Sequence, residues 1–276
     1  MRIAVLGLGI IGSRAAAHLR KNPDHQLRCW NRSPKGIEGE IHDLARAVEE
    51  AELIALYLKD GPAVREVAGR VFETVAGKAV VINHSTVDLA TTYWLAEECA
   101  KRGWSFLDAP FTGSRDAADG AQLVYYAAGA PLLVEQMTPF LLETGKSVIP
   151  CGEAGRATII KLVTNLVSAC TVQALSEGLA TAMRHGIEPE TFTAAVAGNA
   201  CGSPLAALKL PTMASGDFEA HFSLDNMLKD SRYVLELAEG LETPAIQAVS
   251  KRMAELCKSG LADQDYSSLA APYLHS

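Results

Sequence analysis

The sequence predicts an α/β domain with a doubly wound sheet over residues 1–152, then an all-helical domain over 153–276, joined by a long helix. Three observations carry this. Short apolar runs alternate with helical patterns up to about residue 150, as in a parallel sheet covered by helices on both faces. The β signals stop after Gly152. Residues 154–185 then read as one helix, with Leu162, Leu166, Ala169, Val172 and Ser176 recurring at helical spacing.

In chain order, the strands are expected at Ile3–Leu6, Gln26–Trp30, Leu53–Leu58, Lys78–Asn83, Ser105–Asp108, Leu123–Ala127 and Val148–Ile149. Several are apolar at successive positions, the pattern of strands buried on both faces. Helices are expected between them at Ser13–Lys21, Gly61–Val75, Asp88–Arg102 and Pro131–Thr144. Asp60 and Asp88 stand where N-caps belong, and Gly103 and Gly145 where helices stop. In the second half, Gly186-Ile187-Glu188-Pro189 breaks the long helix and Pro189 opens the next. Helices follow at Pro189–Ala197, Pro204–Leu208, Asp225–Glu239 and Pro244–Lys258. With no flexible linker, the two parts are expected to pack closely through the long helix.

Composition narrows the function classes. The chain has 276 residues and a formal net charge of −7, which argues against nucleic acid, whose phosphates demand a basic face. No uninterrupted apolar run approaches the roughly 18 residues of a membrane span, so no membrane partner is expected. The first apolar run passes straight into glycines, a poor signal peptide. Six cysteines lie far apart without a CxxC, and seven histidines include no HExxH. No disulfide framework and no metal site are expected, but reduced, buried thiols in a cytoplasmic protein.

The segment Gly7-Leu8-Gly9-Ile10-Ile11-Gly12 sits between the first strand and the first helix. A glycine-rich turn without a nucleotide has the same letters, but this placement favours dinucleotide binding. Gly7 permits the turn, Gly9 lets a pyrophosphate approach the backbone, and Gly12 lets helix and strand pack closely. After the second strand, NAD-preferring sites carry an acid for the ribose 2′-OH. This chain has Asn31-Arg32-Ser33 instead. Arg32 suits a 2′-phosphate and the two neighbours add hydrogen-bonding groups, so NADPH is expected over NADH.

These motifs, with HST at 84–86, DAPFTGS at 108–114, GRATIIKLVTN at 155–165, FSLDNMLKD at 222–230 and DYSSL at 265–269, span nearly the whole chain. In combination the sequence resembles the β-hydroxyacid dehydrogenase family, the 3-hydroxyisobutyrate dehydrogenases and their relatives. DAPFTGSRDAADGAQLV and the Gly155–Lys161 spacing look more like the glyoxylate/succinic semialdehyde reductase branch. Thr112 replaces the usual serine, Ala157 a common glycine and Asn83 a frequent aspartate.

The resemblance implies a Rossmann-type NADP-binding domain, a helical substrate and oligomerisation domain, and a homodimer or homotetramer. Lys161 matches the family's catalytic lysine, a proton donor in reduction and, when neutral, a base in oxidation. Asn165, one helical turn on, would orient that amine or the substrate. Thr112, Gly113 and Ser114, after the fifth strand, suit a substrate carboxylate. Thr86 and Ser85 resemble the segment beside nicotinamide and substrate, with His84 a neighbour. Phe222 resembles a pocket wall, Lys229 would lie near the nicotinamide ribose and Asp230 near the substrate. Arg115 adds positive charge. The expected reaction is NADPH-dependent reduction of a small carboxylated aldehyde, such as glyoxylate or succinic semialdehyde. Oxidation of 3-hydroxyisobutyrate or a related 3-hydroxyacid is the near alternative, and a non-catalytic nucleotide-binding homologue the distant one. Imine reductases are disfavoured by Lys161, and 6-phosphogluconate dehydrogenases by the short helical half.

Overall fold

The computed structural model describes residues 1–274 and divides the chain into two compact units, 1–161 and 162–276. The first unit holds an eight-stranded sheet: β1 (Arg2–Leu6), β2 (Gln26–Trp30), β3 (Leu53–Leu56), β4 (Val80–Asn83), β5 (Ser105–Asp108), β6 (Phe111–Thr112), β7 (Leu123–Ala128) and β8 (Gly145–Gly152). Strand order is β2-β1-β3-β4-β5-β7-β6, with β8 on the other side of β7. The first five strands are parallel, and β1 lies between β2 and β3. That reversal of strand order is where open α/β sheets bind ligands.

Successive residues of the apolar strands feed opposite faces. Ala4, Leu6, Ile54 and Leu56 join one buried cluster, while Ile3, Val5, Leu53 and Ala55 join the other. This explains runs without alternation. The sheet is not wholly parallel, however. β7 runs antiparallel to both β5 and β6. Between β5 and β7 the only helix is the five-residue segment Arg115–Asp119, too short to carry the chain back for a parallel return.

The helices of this unit are α1 (Ile10–Leu19), α2 (Leu44–Val48), α3 (Gly61–Thr74), α4 (Leu89–Lys101), α5 (Arg115–Asp119) and α6 (Pro131–Leu142). Neither α2 nor α5 was visible in the pattern, since five residues span little more than one helical turn and the period does not repeat. Asp60 and Asp88 cap α3 and α4. Asp88 accepts the Thr91 N–H at 2.7 Å and its hydroxyl at 2.8 Å. Asp88→Ala is therefore expected to destabilise the protein by about 1–2 kcal/mol in urea unfolding, with Asp88→Asn close to wild type.

The long helix α7 (Arg156–Arg184) begins in the first unit and continues into the second. The division falls beyond the 152/153 boundary expected from the sequence because the first turns of α7 are tied to β5, as described below. In the second unit, α8 (Pro189–Ala197), α9 (Pro204–Ser215), α10 (Leu224–Leu237) and α11 (Pro244–Leu256) pack with α7 and the 3₁₀ turns of Tyr266–Tyr273 around Leu162, Val172, Leu210, Met227 and Met253. α7 is long and apolar enough to cross a membrane by composition, yet its Leu162, Ala169, Val172 and Leu179 are core residues of this unit.

A buried ion pair sits in the same core. Lys209 Nζ lies 2.6 Å from Asp265 Oδ1, under the ring of Tyr266. Asp265 also accepts the N–H groups of His221, Phe222 and Ser267. Burial pushes its carboxyl up, but Lys209 and the Ser267 donors outweigh that and hold it below the usual value. All six cysteines are free thiols. Only Cys29 and Cys99 are buried, and Cys201 is exposed in the α8–α9 loop, contrary to the expectation of uniformly buried thiols.

Candidate active site

The glycine loop follows β1. Gly7 has φ +103°, open to glycine, and a Cβ there would run into the Tyr57 carbonyl oxygen. A Cβ on Gly12 would meet the Gly7 carbonyl oxygen, whereas one on Gly9 meets nothing within 4 Å. Gly7 and Gly12 thus set the close approach of α1 to the ends of β1 and β3, and Gly9 leaves one side of the backbone open. Gly9 is the N-cap of α1 and has no side chain to close the helix's leading N–H groups. Leu8 is buried, Ile11 half-buried and Ile10 exposed. This arrangement fits a dinucleotide pyrophosphate.

The strand-end residues are joined to this loop. Asn31 Oδ1 accepts the Leu8 N–H at 2.9 Å, and its Nδ2 donates to the Ser33 carbonyl at 2.7 Å. Asn31 therefore braces loop against loop. Ser33 is exposed, as is Arg32, whose Nη2 lies 2.6 Å from Glu66 Oε2 on α3. Glu66 had no signal in the sequence, where it is one more polar residue on an amphipathic helix.

The ends of β3 and β4 form the next wall. Ser85 Oγ accepts the Leu58 N–H at 2.8 Å, and Asn83 bonds both backbone groups of Ser85. Half-buried Thr86 follows. His84 is buried, stacks on Tyr57 at 4.4 Å and uses Nδ1 on the Ala109 carbonyl at 2.7 Å. Burial lowers its pKa to about 4, so it is neutral near pH 7, consistent with a packing role.

Thr112, Gly113 and Ser114 do not form a plain turn. Thr112 belongs to β6, opposite Val124, and Ser114 is the N-cap position of α5 without a side-chain cap bond. Gly113 joins them at φ +134°, where a Cβ would strike Leu123 and Ala117. Thr112 and Ser114 are half-buried and Gly113 exposed. Arg115 opens α5, 3.6 Å from Asp116.

Asp108, at the end of β5, fixes the start of α7. Its Oδ2 accepts the N–H groups of Gly155 and Thr158, each at 3.0 Å, and Oδ1 accepts the Thr158 hydroxyl at 2.8 Å. The Thr158 hydroxyl also meets that of Thr92 at 2.9 Å. Ala157 is fully buried and clusters with Tyr126 and Ala128. Lys161 is half-buried in the following turn. Asn165 is one turn further along α7 and donates from Nδ2 to Asp230 Oδ2 at 2.7 Å. Asp230 is fully buried, with Lys229 Nζ 3.0 Å from its other oxygen. The structure thus joins three expected site residues in the second unit, with Asp230 holding Asn165. Phe222, held by Asp265, packs edge-on against Tyr266. Among the described residues no group of three His, Cys, Asp or Glu is placed to hold a metal ion.

Residues 2–152 match the family model for the NAD binding domain of 6-phosphogluconate dehydrogenase. Residues 155–273 match the one for the NAD-binding region of NADP-dependent 3-hydroxyisobutyrate dehydrogenase. Arabidopsis thaliana glyoxylate/succinic semialdehyde reductase 2, chloroplastic, is 31% identical over 97% of this chain and 78% of its own length. Reductase 1 of the same plant is 28% identical over 98% and 97%. Among solved structures, Mycobacterium tuberculosis 3-hydroxyisobutyrate dehydrogenase with L-serine has the same fold, with TM-score 0.87 and 24% identity over 98% of both chains. With an intact glycine loop, a lysine in the α7 motif and these matches along its whole length, the chain belongs to the β-hydroxyacid dehydrogenase family and is an NAD(P)-dependent oxidoreductase of the 3-hydroxyisobutyrate dehydrogenase type.

Proposed function

We propose that the protein uses NADPH to reduce small carboxylated aldehydes, glyoxylate and succinic semialdehyde among them, to hydroxyacids, with Lys161 as proton donor. The observation that carries this reading is the anchoring of α7: Asp108 fixes its first turn, and Lys161 and Asn165 follow at one-turn spacing. Two plant relatives named for both aldehydes support the substrate class. Arg32, in place of an acid after β2, supports NADPH.

Bound NADPH supplies the hydride. The Lys161 ammonium donates to the substrate carbonyl oxygen, stabilises the negative charge that grows there and gives up the proton. The carboxylate of Asp230 can only accept, which fixes the Asn165 amide with its nitrogen toward Asp230 and leaves Oδ1 as its acceptor end. That polarity suits an ammonium N–H. The Thr112 and Ser114 hydroxyls and the Gly113 N–H supply donors for the substrate carboxylate, and Asn31 keeps the glycine loop in shape for the pyrophosphate.

The test is a panel of aldehydes with NADPH consumption as the readout. Carboxylated aldehydes are expected to exceed uncharged ones of equal length by at least about tenfold in kcat/KM. An enzyme that binds NADPH but reduces none of them would overturn the reading. The match of residues 155–273 to the 3-hydroxyisobutyrate dehydrogenase model favours a second reading, oxidation of 3-hydroxyacids with neutral Lys161 as base. NADP reduction with 3-hydroxyisobutyrate measures it in the same assay.

A further inference from the structure

Arg32 does not meet a coenzyme as a lone cation. Its Nη2 is 2.6 Å from Glu66 Oε2, and both side chains are more than half exposed. Arg32 follows β2, whereas Glu66 lies on α3, the helix after β3. Since β2 and β3 are the two neighbours of β1, the ion pair links the segments on either side of the glycine loop's strand. Arg32 is itself held beside that loop, because the adjacent Asn31 is bonded to Leu8.

We propose that Glu66 is a coenzyme-specificity residue whose carboxylate competes with the 2′-phosphate of NADPH for Arg32. The inference rests on the reading of Arg32 as the 2′-phosphate partner. A phosphate arriving at the guanidinium meets a carboxylate already there. Either Glu66 turns away and the ion pair is lost, or it stays and repels a group of like charge. NADH carries only a hydroxyl at that position and meets neither penalty. A hydroxyl is also a donor, and Glu66 offers it the acid that the end of β2 lacks. The subsite thus presents an Arg–Glu pair in place of a bare cation, which narrows the preference for NADPH. Because the pair is solvated, the effect is several-fold and shrinks as salt rises.

Equilibrium binding without turnover tests this, with NADPH and NADH titrated calorimetrically into wild type, Glu66→Gln and Arg32→Ala at low and moderate salt. Glu66→Gln is expected to tighten NADPH about three- to tenfold at low salt, less at moderate salt, with NADH unchanged or slightly weaker. Arg32→Ala is expected to weaken NADPH about tenfold and spare NADH. If Arg32→Ala lowers the NADPH/NADH affinity ratio but Glu66→Gln leaves NADPH unchanged, the role of Glu66 is wrong and that of Arg32 stands. If Arg32→Ala leaves the ratio unchanged, the 2′-phosphate reading of Arg32 fails, and the inference with it.

Discussion

Replacing Lys161 with alanine is expected to lower kcat for aldehyde reduction by about 10²–10⁴-fold while NADPH affinity stays within about twofold. The split follows from the role proposed for the ammonium. In that role its bond to the carbonyl oxygen strengthens as negative charge develops, so most of its worth is realised in the transition state. The glycine loop and Asn31 lie far from position 161 in sequence and bond to each other, so coenzyme binding retains its supports. Lys161→Arg keeps the charge but not a transferable proton, and is expected to recover little. Asn165→Ala is expected to be milder, because it removes an orienting group. Coenzyme fluorescence titration and steady-state kinetics check both halves, and a Lys161→Ala enzyme with wild-type kcat would rule the mechanism out.

The elements that create this site differ in how visible they are in the sequence. β1, the glycine loop and α1 were legible because one short stretch contains strand, turn and helix start. The long α7 was legible because its apolar spacing persists for several turns. β6 was not, since two residues carry no period, and nothing in the pattern showed that Thr112–Ser114 is a strand end feeding a helix. Contacts between distant segments were hidden for a different reason. Glu66 sits 34 residues from Arg32 on a helix where a surface glutamate is ordinary. The resemblance set Asp230 near the substrate, but nothing in the sequence tied it to Asn165, 65 residues away, against which it is fully buried. A trace of such a role existed for Asp108, the single acid closing the apolar strand Ser105–Asp108. Its partners, 47 and 50 residues on, did not.

Asp108 carries the second large expectation. Asp108→Ala would leave the buried N–H groups of Gly155 and Thr158 without an acceptor and a void at the end of β5. Each orphaned donor costs about 1–3 kcal/mol, so a loss of roughly 3–5 kcal/mol in urea unfolding is expected. Asp108→Asn keeps one oxygen, which in the place of Oδ2 can accept both N–H groups, and the Thr158 hydroxyl can turn to accept from the amide, so its loss is expected to be smaller. The two variants also separate shape from charge. Burial raises the Asp108 carboxyl from 3.8 to about 6, against the opposing pull of its donors on Thr158 and Gly155. The native state therefore holds this proton more tightly than the unfolded chain, and between about pH 4 and 6 it binds more protons. Stability from this group is greatest below pH 4, falls as pH rises through 6 and is flat above. The fall is about 3 kcal/mol, at about 1.4 kcal/mol per pH unit. Glu40, Glu52 and Glu98, whose carboxyls are held low, act in the opposite sense at acid pH, so wild type alone mixes the two trends. The difference between wild type and Asp108→Asn isolates Asp108, because asparagine does not titrate. Wild type is expected to lose about 2 kcal/mol relative to Asp108→Asn between pH 4.5 and 7.5. A difference that stays constant over this range would mean that Asp108 remains charged throughout, and that the first turn of α7 is held by a carboxylate that burial does not perturb.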